Sequence, residues 1–222
     1  MNLALTRPEA SYHAPPKPLR PSFRIQYGEL AAKVCILTLF SGMAMRLAQD
    51  AAETGHITGI LMLVNEALVV ALTLVRRTAG VVDRSWQARL LTTISMVGPP
   101  LVRPAASFDP ETLAVVISAI GLMIVVGGKL SLGRSFGLTP ANRGVVSSGL
   151  YRFLRHPIYL GYLITHVGFV IAHPADWNFF ILFVADAALI ARAVCEEKTL
   201  AQDPAYREYM TRARWRILPG VF

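Results

Sequence analysis

Apolar runs of helical length alternate with polar segments along most of this 222-residue chain. A hydrocarbon core of about 30 Å needs about 20 helical residues, and several of the runs approach or exceed that length. The pattern predicts six transmembrane helices, over residues 27–48, 57–75, 88–102, 112–127, 157–172 and 176 to about 192. The third run is short and ends in Gly98, Pro99 and Pro100, so we expect a tilted or broken helix there.

The polar segments predict the connections between these helices. Short turns are expected at 46–56 and 108–111, and a basic loop after the second helix contains Arg76, Arg77, Arg84 and Arg89. Glycines between 128 and 149 break any regular periodicity, so residues 130–155 are predicted to form a long polar connection. Residues 1–26 are basic and proline-rich and predict a flexible arm, whereas 27–222 are predicted to form a single membrane domain.

Composition supports the same fold class. Hydrophobic residues make up 54% of the chain, charged residues 16%, and the mean hydropathy is +0.46; soluble domains carry about 25% charge. We therefore expect an all-α, polytopic transmembrane bundle of about six spans with a cytosolic helical tail. The formal net charge of +8 is assigned to loop cations at an anionic lipid surface, and no nucleic-acid partner is expected.

The distribution of cations predicts the orientation of the bundle. With six spans and a cytosolic N-terminus, the inner segments hold nearly every lysine and arginine, and only Arg46 and Arg103 lie outside. Both termini and the segment before residue 157 are then cytosolic in a multi-pass protein. No compact apolar core with a small-residue cleavage site precedes the arm, so a secretory signal peptide is not expected.

A first chemical cluster stands where the polar connection gives way to the fifth apolar run. Proline suits the first turn of a helix, so Pro157 predicts a helix start there with Arg155 or His156 at the cap. The first free amides would point back toward these cations and attract an anion. Tyr151 and Tyr159 supply aromatic walls that suit an adenosine or a sulfonium. The alternative interpretation is that these residues only anchor the end of the helix at the membrane interface.

A second cluster lies near the end of the sixth helix. Arg192 and Glu196 are i, i+4 neighbours, but an arginine before a glutamate stabilises a helix less than the reverse order, so stability explains the pair poorly. Glu197 points about 100° away from Glu196 on a helix. At most one of the two glutamates is therefore expected to face the same site as Arg192.

The motifs that contain these two clusters resemble those of a known superfamily. The motif R-H-P-I-Y-L-G is preceded by S-G-L-Y-R and followed by R-A-V-C-E-E-K-T-L and Y-R-E-Y-M-T-R-A-R-W-R-I-L-P-G. In this order and spacing they resemble the isoprenylcysteine carboxyl methyltransferase and phospholipid methyltransferase superfamily of integral-membrane enzymes. The resemblance covers roughly residues 130–222. It implies methyl transfer from S-adenosylmethionine at the cytosolic face of a membrane.

Together, the resemblance and the residue types predict a cofactor-binding and catalytic site. His156, Tyr159 and Gly161 belong by resemblance to the cofactor motif, and Arg192, Glu196 and Glu197 to the catalytic region. The full set expected to bind the cofactor is Tyr151, Arg155, His156, Pro157, Tyr159, Gly161, Tyr206 and Tyr209. The tail could instead be an amphipathic helix on the membrane surface.

The acceptor is left open by the sequence. A carboxylate or thiolate is favoured, because the planar guanidinium of Arg192 can align an anion, and contacts are expected within 130–142. The acceptor would be a lipophilic small molecule or a lipid, among membrane lipids. Phosphatidylethanolamine N-methylation is one alternative, and a non-catalytic transporter or scaffold is an alternative of another class.

The remaining polar residues have both a structural and a functional interpretation. Asn65, Glu66 and Asp186 lie at predicted membrane depth, where hydrogen bonding between helices is slightly favoured over contact with substrate. His166 and His173 are seven residues apart and lack a third ligand of suitable spacing, so no metal is expected. Cys35 and Cys195 suggest neither a disulfide framework nor a thiolate site.

Overall fold

The computed structural model describes residues 23–55, 57–64, 67, 81–82, 85–105, 111–135, 141–142 and 144–222. The described residues are mainly helical, and two residue pairs, β1 (Val81–Val82) and β2 (Ala141–Asn142), pair antiparallel. The chain divides into two compact units, Met1–Cys35 and Ile36–Phe222. All contacts of the candidate site lie within the second unit. The predicted arm is mostly outside the described residues.

Seven helical segments are described, and short 3₁₀ turns connect some of them. They are α1 (Phe23–Thr54), α2 (described over 58–64), α3 (Trp86–Val97), α4 (Glu111–Leu132), α5 (Pro157–Ala172), α6 (Asp176–Leu200) and α7 (Pro204–Arg212). The 3₁₀ turns lie at Pro99–Leu101, Gly133–Ser135 and Gly149–Arg152. The helix predicted over 157–172 is confirmed at both ends.

One predicted turn and one predicted helix end are wrong. Residues 46–54 continue α1, and Arg46 on this helix donates a hydrogen bond to the carbonyl of Pro100 at 2.5 Å. α4 runs on through Gly127 and Gly128 to Leu132, where a polar connection was expected. A helical glycine costs about 1 kcal/mol relative to alanine, but a Cβ at Gly128 would lie 2.7 Å from Ile158 Cγ1, so close packing on α5 explains it.

The third predicted helix is broken as expected. Ser85 caps α3 by accepting a hydrogen bond from the amide of Ala88 at 3.2 Å, and Arg89 lies on this helix and not in a basic loop. After Gly98 the chain turns through Pro99–Leu101. The Asn178 side chain then holds residue 103, accepting from its amide at 2.9 Å and donating to its carbonyl at 2.8 Å. At 1.5 Å per residue α3 is about 18 Å long, too short to cross alone.

Antiparallel packing of α4 on α5 forms the centre of the molecule. A Cβ at Gly161 would lie 2.5 Å from Val125 Cγ2 and 2.7 Å from the carbonyl oxygen of Gly121, so only glycine allows this approach. Small residues let helix backbones meet closely where lipid removes the hydrophobic drive between helices. Val125, Ile158, Tyr159, Leu189, Ala193 and Ile217 form the adjacent buried cluster.

Two helices of the described part are long and apolar enough to cross a membrane, Thr112–Leu132 and Asp176–Leu200. α5 is apolar but shorter, about 24 Å at 1.5 Å per residue. α6 extends to Leu200, beyond the end expected near residue 192, and so brings both clustered glutamates onto the helix. The fold is thus all-helical with two candidate spans in the described residues, and six spans stay a prediction.

Candidate active site

One cavity runs between the helices from a polar, aromatic end to an apolar end. Its polar end is lined by Tyr151, Arg155, His156, Tyr159, Glu196, Tyr206 and Tyr209, and its apolar end by Phe40, Met96, Pro99, Ala185 and Leu189. Arg192 lines the cavity between these two sets. α5 and α6 run antiparallel, so successive turns of both helices supply the lining.

Tyr159, Arg192 and Glu196 form the cluster on the cavity wall. The Tyr159 hydroxyl donates to Glu196 Oε2 at 2.5 Å, and Arg192 Nη2 lies 3.8 Å from Glu196 Oε1. The Arg192 guanidinium carbon lies 5.5 Å from the centre of the Tyr159 ring, within reach of a cation–π interaction. Arg192 Nε is buried and has no hydrogen-bond partner among the described residues.

Glu197 faces away from the cavity and binds three basic side chains. Its Oε2 accepts from Arg155 Nη1 at 3.0 Å and from Arg216 Nε at 2.9 Å, and its Oε1 lies 3.2 Å from His156 Nε2. The carboxylate therefore fills the place beside the basic cluster where an external anion was expected. Glu196 lines the cavity and Glu197 does not, which follows from the 100° step between adjacent helical residues.

The C-terminal segment is tied to the entrance of α5 through its backbone. The amides of Arg155 and His156 donate to the carbonyls of Trp215 and Arg216 at 3.0 and 2.8 Å. The Tyr209 hydroxyl donates to the carbonyls of Tyr151 and Leu154 at 2.8 and 3.2 Å. These bonds hold the tail over the polar end of the cavity.

Three tyrosines outside the spanning helices wall this end of the cavity. Tyr151 precedes α5, and Tyr206 and Tyr209 lie on α7, which begins where Asp203 caps the amide of Ala205 at 2.9 Å. Burial raises the pKa of all three phenols above the usual value. They remain neutral donors across the physiological range.

Two of the predicted cofactor residues lie outside the cavity lining. Pro157 is buried at the first position of α5, and Gly161 faces α4. The other predicted cofactor and catalytic residues, apart from Glu197, line the cavity. They come from the 3₁₀ turn before α5, from α5 and the two residues before it, from α6 and from α7. Of the segment expected to contact the acceptor, Leu132 and Ser135 line the cavity, and 136–140 lie outside the described residues.

His166 and Asp186 form a further polar pair on the cavity wall. His166 Nδ1 lies 2.6 Å from Asp186 Oδ1, so the pair joins α5 to α6 within the apolar part of both helices. The interhelical hydrogen bond expected for Asp186 is therefore present, and its partner is His166. Asn65 and Glu66 lie outside the described residues.

His173 belongs to a separate network at the far end of α5. Its Nε2 lies 3.4 Å from Thr58 Oγ1, and its Nδ1 lies 3.1 Å from the carbonyl of Ala105. The described part of the chain contains no group of three or more residues with metal-ligand side chains close enough to hold a metal ion.

Sequence reasoning missed the residues that reach the site from distant parts of the chain. Arg216 was assigned only to a basic tail, because its contact with Glu197 forms only when the tail folds back. Phe40 and Met96 carried no signal except the hydropathy of their apolar runs, and Pro99 indicated only a broken helix. The His166–Asp186 pair had a usable signal, because both residues are polar interruptions of apolar helices.

Residues 110–206 match the family model described as phospholipid methyltransferase. The match confirms the resemblance to the integral-membrane methyltransferase superfamily, and it spans α4, α5, α6 and the start of α7, under half of the chain. The matched segment contains Tyr159, Arg192, Glu196, Glu197 and Tyr206, whereas Tyr209 and Arg216 lie beyond it. The comparison with curated proteins gives no match.

Proposed function

We propose that the protein transfers a methyl group from S-adenosylmethionine to a lipophilic acceptor inside the cavity between α5 and α6. The observation that carries this proposal is a single cavity with a polar aromatic end, an apolar end and the buried Arg192 between them. A polar cofactor and a membrane-partitioned acceptor need such unlike surroundings close together. The family match supports membrane methyltransferase activity.

The polar end has side chains that suit the chemical groups of S-adenosylmethionine. Aromatic faces suit its adenine and its sulfonium, and the Glu196 carboxylate suits its ammonium group. The orphaned Nε of Arg192 is a buried donor that a ligand can satisfy, and an unmet buried donor costs about 1–3 kcal/mol. These features fit the cofactor, with Tyr151, His156, Tyr159, Tyr206 and Tyr209 as its walls.

S-adenosylmethionine supplies an electrophilic methyl group on a positively charged sulfur. In the transfer, a lone pair of the acceptor forms the new bond to carbon while the carbon–sulfur bond breaks and its electrons return to sulfur. The chain contributes alignment and exclusion of water, since such a displacement requires the nucleophile behind the methyl group. The tail closes the polar end, and packed helices close the sides.

Arg192 orients an anionic acceptor in this proposal. Its guanidinium can hold a carboxylate with two parallel hydrogen bonds or attract a thiolate. Glu196, held by Tyr159, keeps the guanidinium facing the cavity through the contact at 3.8 Å. Attraction between a negative nucleophile and the sulfonium is stronger in an apolar cavity than in water. The favoured reaction is methylation of an anionic acceptor by an enzyme similar to isoprenylcysteine carboxyl methyltransferase.

Phosphatidylethanolamine N-methylation is the second candidate, and the description of the matching family favours it. An amine must lose a proton before it attacks, so a carboxylate on the cavity wall would serve as its base. Glu196 occupies such a position. The two candidates therefore differ in whether Arg192 or Glu196 is indispensable for turnover.

Topology forms part of the proposal. Six spans with both termini cytosolic put the polar end of the cavity, α7 and the tail at the cytosolic face, where the soluble cofactor enters. The positive-inside distribution supports this orientation. The acceptor would reach the apolar end from the lipid.

The first experiment measures S-adenosylhomocysteine binding to the full chain in lipid nanodiscs by calorimetry. Binding is expected, and His156→Ala and Tyr159→Phe should weaken it, because both rings line the polar end and Tyr159 holds Glu196. Glu208→Gln, which alters an exposed pair with Arg212, is the matched control. Absence of binding to the unmodified chain contradicts the proposed function.

A second experiment separates the acceptor classes. Transfer of radiolabelled methyl groups is measured with a medium-chain fatty acid, the corresponding thiol, the corresponding amine and phosphatidylethanolamine vesicles. Transfer to the acid or thiol supports the anionic acceptor, whereas transfer confined to the vesicles or the amine supports N-methylation.

A further inference from the structure

A groove on the outer side of α5 and α6 meets the inner cavity at one pair of residues. The groove is lined by Val167, Val170, Ile171, Phe179, Leu182 and Phe183, together with His166 and Asp186. The last two also line the inner cavity. His166 and Asp186 therefore form the wall between a surface groove and the proposed reaction chamber.

The outer groove has the surface of a lipid-facing entrance. Val167, Phe179 and Phe183 expose 53%, 63% and 64% of their surface, and all three are apolar residues of helices proposed to cross the membrane. Large exposed apolar faces on such helices contact acyl chains. The groove is thus accessible to molecules dissolved in the lipid.

A carboxylate at this depth is costly unless it meets a partner or a polar ligand. Asp186 is bonded to His166 at 2.6 Å, and its side chain retains 20% exposure, so the pair is not sealed within the protein. The same cavity is lined by the apolar side chains of Ala185, Leu189, Met96 and Pro99, together with Ser95, whose hydroxyl donates to the carbonyl of Thr92 at 3.1 Å. A ligand passing this point meets one strong hydrogen-bond acceptor among mainly apolar side chains.

Distance along α6 sets the pattern that a ligand must match. Asp186 precedes Arg192 by six residues, which is about 9 Å of helix at 1.5 Å per residue. Arg192 attracts an anion, whereas Asp186 attracts a hydrogen-bond donor. The two positions therefore select different groups on one molecule.

We propose that a hydroxyl or amino group of the acceptor, separate from the methylated atom, hydrogen-bonds to Asp186. The inference rests on the proposed function for the direction of entry and the role of Arg192. The acceptor is then a lipophilic chain with a nucleophilic anionic end and a donor group about 9 Å away along the helix spacing. His166 is a positioning residue that orients the carboxylate.

The test compares two probes that differ by one hydroxyl group. A medium-chain ω-hydroxy fatty acid and the same fatty acid without the hydroxyl each carry a diazirine in the chain and are photocrosslinked to the full protein in nanodiscs. The hydroxy acid is expected to label residues of α5 and α6 about tenfold more strongly, since a hydrogen bond to a charged group has that value. Equal labelling by the two probes overturns the inference.

Substitutions locate the effect. Asp186→Asn should abolish most of the advantage of the hydroxy acid while leaving S-adenosylhomocysteine affinity unchanged, and His166→Gln should reduce it less. A hydroxyl advantage that persists in Asp186→Asn assigns recognition elsewhere and contradicts the inference. Thermal unfolding of each variant is measured beside labelling, and Leu189→Met supplies a cavity variant with the carboxylate intact.

The entrance is tested by a matched pair of lipid-facing phenylalanines. Phe183 lines the groove and Phe180 does not, although both lie on α6 and expose 64% and 61% of their surface. Phe183→Trp should slow labelling inside the cavity, and Phe180→Trp should not. An equal effect of both changes contradicts lateral entry at this groove. Failure of the unmodified chain to bind S-adenosylhomocysteine contradicts the proposed function alone, because crosslinking requires no turnover.

Discussion

Glu197 Oε2 accepts a hydrogen bond from Arg216 Nε at 2.9 Å, and this contact ties the C-terminal segment to α6. The same oxygen accepts from Arg155 at 3.0 Å, so one carboxylate links the tail, the entrance of α5 and the end of α6. Tyr206 and Tyr209 are carried by the segment that this link holds. Glu197 thus lies outside the cavity but helps to hold the segment that supplies Tyr206 and Tyr209 to the cavity wall.

Glu197→Gln is expected to lower cofactor affinity and stability although Glu197 does not line the cavity. Removing one partner from a buried ionic cluster costs about 3–5 kcal/mol, because the remaining charges lose compensation. Calorimetric S-adenosylhomocysteine binding, chemical unfolding and limited proteolysis of the tail measure the three effects.

The control for this change is Glu208→Gln. Glu208 pairs with Arg212 on the exposed face of α7, and a surface pair contributes about 0–1 kcal/mol. A tail that stays protease-resistant in Glu197→Gln, with unchanged affinity, would contradict the role of Glu197 as a link.

Arg192→Lys is expected to reduce methyl transfer about a hundredfold, comparable to the loss of one donor to a transition state. Lysine keeps the charge and removes the planar fork, so S-adenosylhomocysteine affinity should change far less than turnover. Single-turnover transfer and calorimetry are measured on the same preparation, with Arg212→Lys as the exposed control.

Parallel measurements on Glu196→Gln decide between acceptor classes. Full activity in Arg192→Lys, together with lost activity and an altered pH profile in Glu196→Gln, would reject the anionic acceptor and favour amine methylation.

Gly161→Ala is expected to destabilise the protein by about 1–3 kcal/mol, the usual cost of overpacking a core. The added Cβ would lie 2.7 Å from the carbonyl oxygen of Gly121 and 2.5 Å from Val125, and backbone cannot yield cheaply. The measurement is chemical unfolding in detergent.

Gly42→Ala on α1 is the matched control, since a Cβ there meets no described atom within 4 Å. It should stabilise slightly, because alanine is the better helix former. If Gly161→Ala lost cofactor affinity without losing stability, Gly161 would have a direct role in binding and not the packing role.

Cysteine labelling tests the proposed topology. In a variant with Cys35 and Cys195 replaced by Ser, a single cysteine at Glu53 should react with an impermeant thiol reagent applied to intact cells. A cysteine at Arg152, which is exposed next to the polar end of the cavity, should react only after permeabilisation. Labelling at residue 152 from outside would contradict the cytosolic site.

The sequence by itself determined the helical fold class and the position along the chain of the motifs that resemble the superfamily. Hydropathy located α5 at both ends, because Pro157 starts it and the residues after Ala172 are polar. Motif order indicated a resemblance to the superfamily, and the family match over 110–206 confirms that resemblance. The roles of individual site residues stay predictions.

Helix ends were determined less well, for a physical reason. Gly128 looked like a helix breaker, but its missing side chain admits Ile158 of α5, and that packing offsets the intrinsic cost of glycine. Arg46 looked like part of a turn, yet it lies on α1 and donates a hydrogen bond to the carbonyl of Pro100, which is distant in sequence. Local propensity cannot register a partner brought by the tertiary fold.

Only the tertiary structure separated the two adjacent glutamates. Sequence reasoning held that at most one faces the same site as Arg192, since neighbouring helical residues differ by about 100°. Choosing between them requires the positions of Tyr159, which bonds Glu196, and of Arg216, which bonds Glu197. Those positions depend on antiparallel packing of α5 on α6 and on the return of the tail, and neither is encoded in the spacing of the motifs.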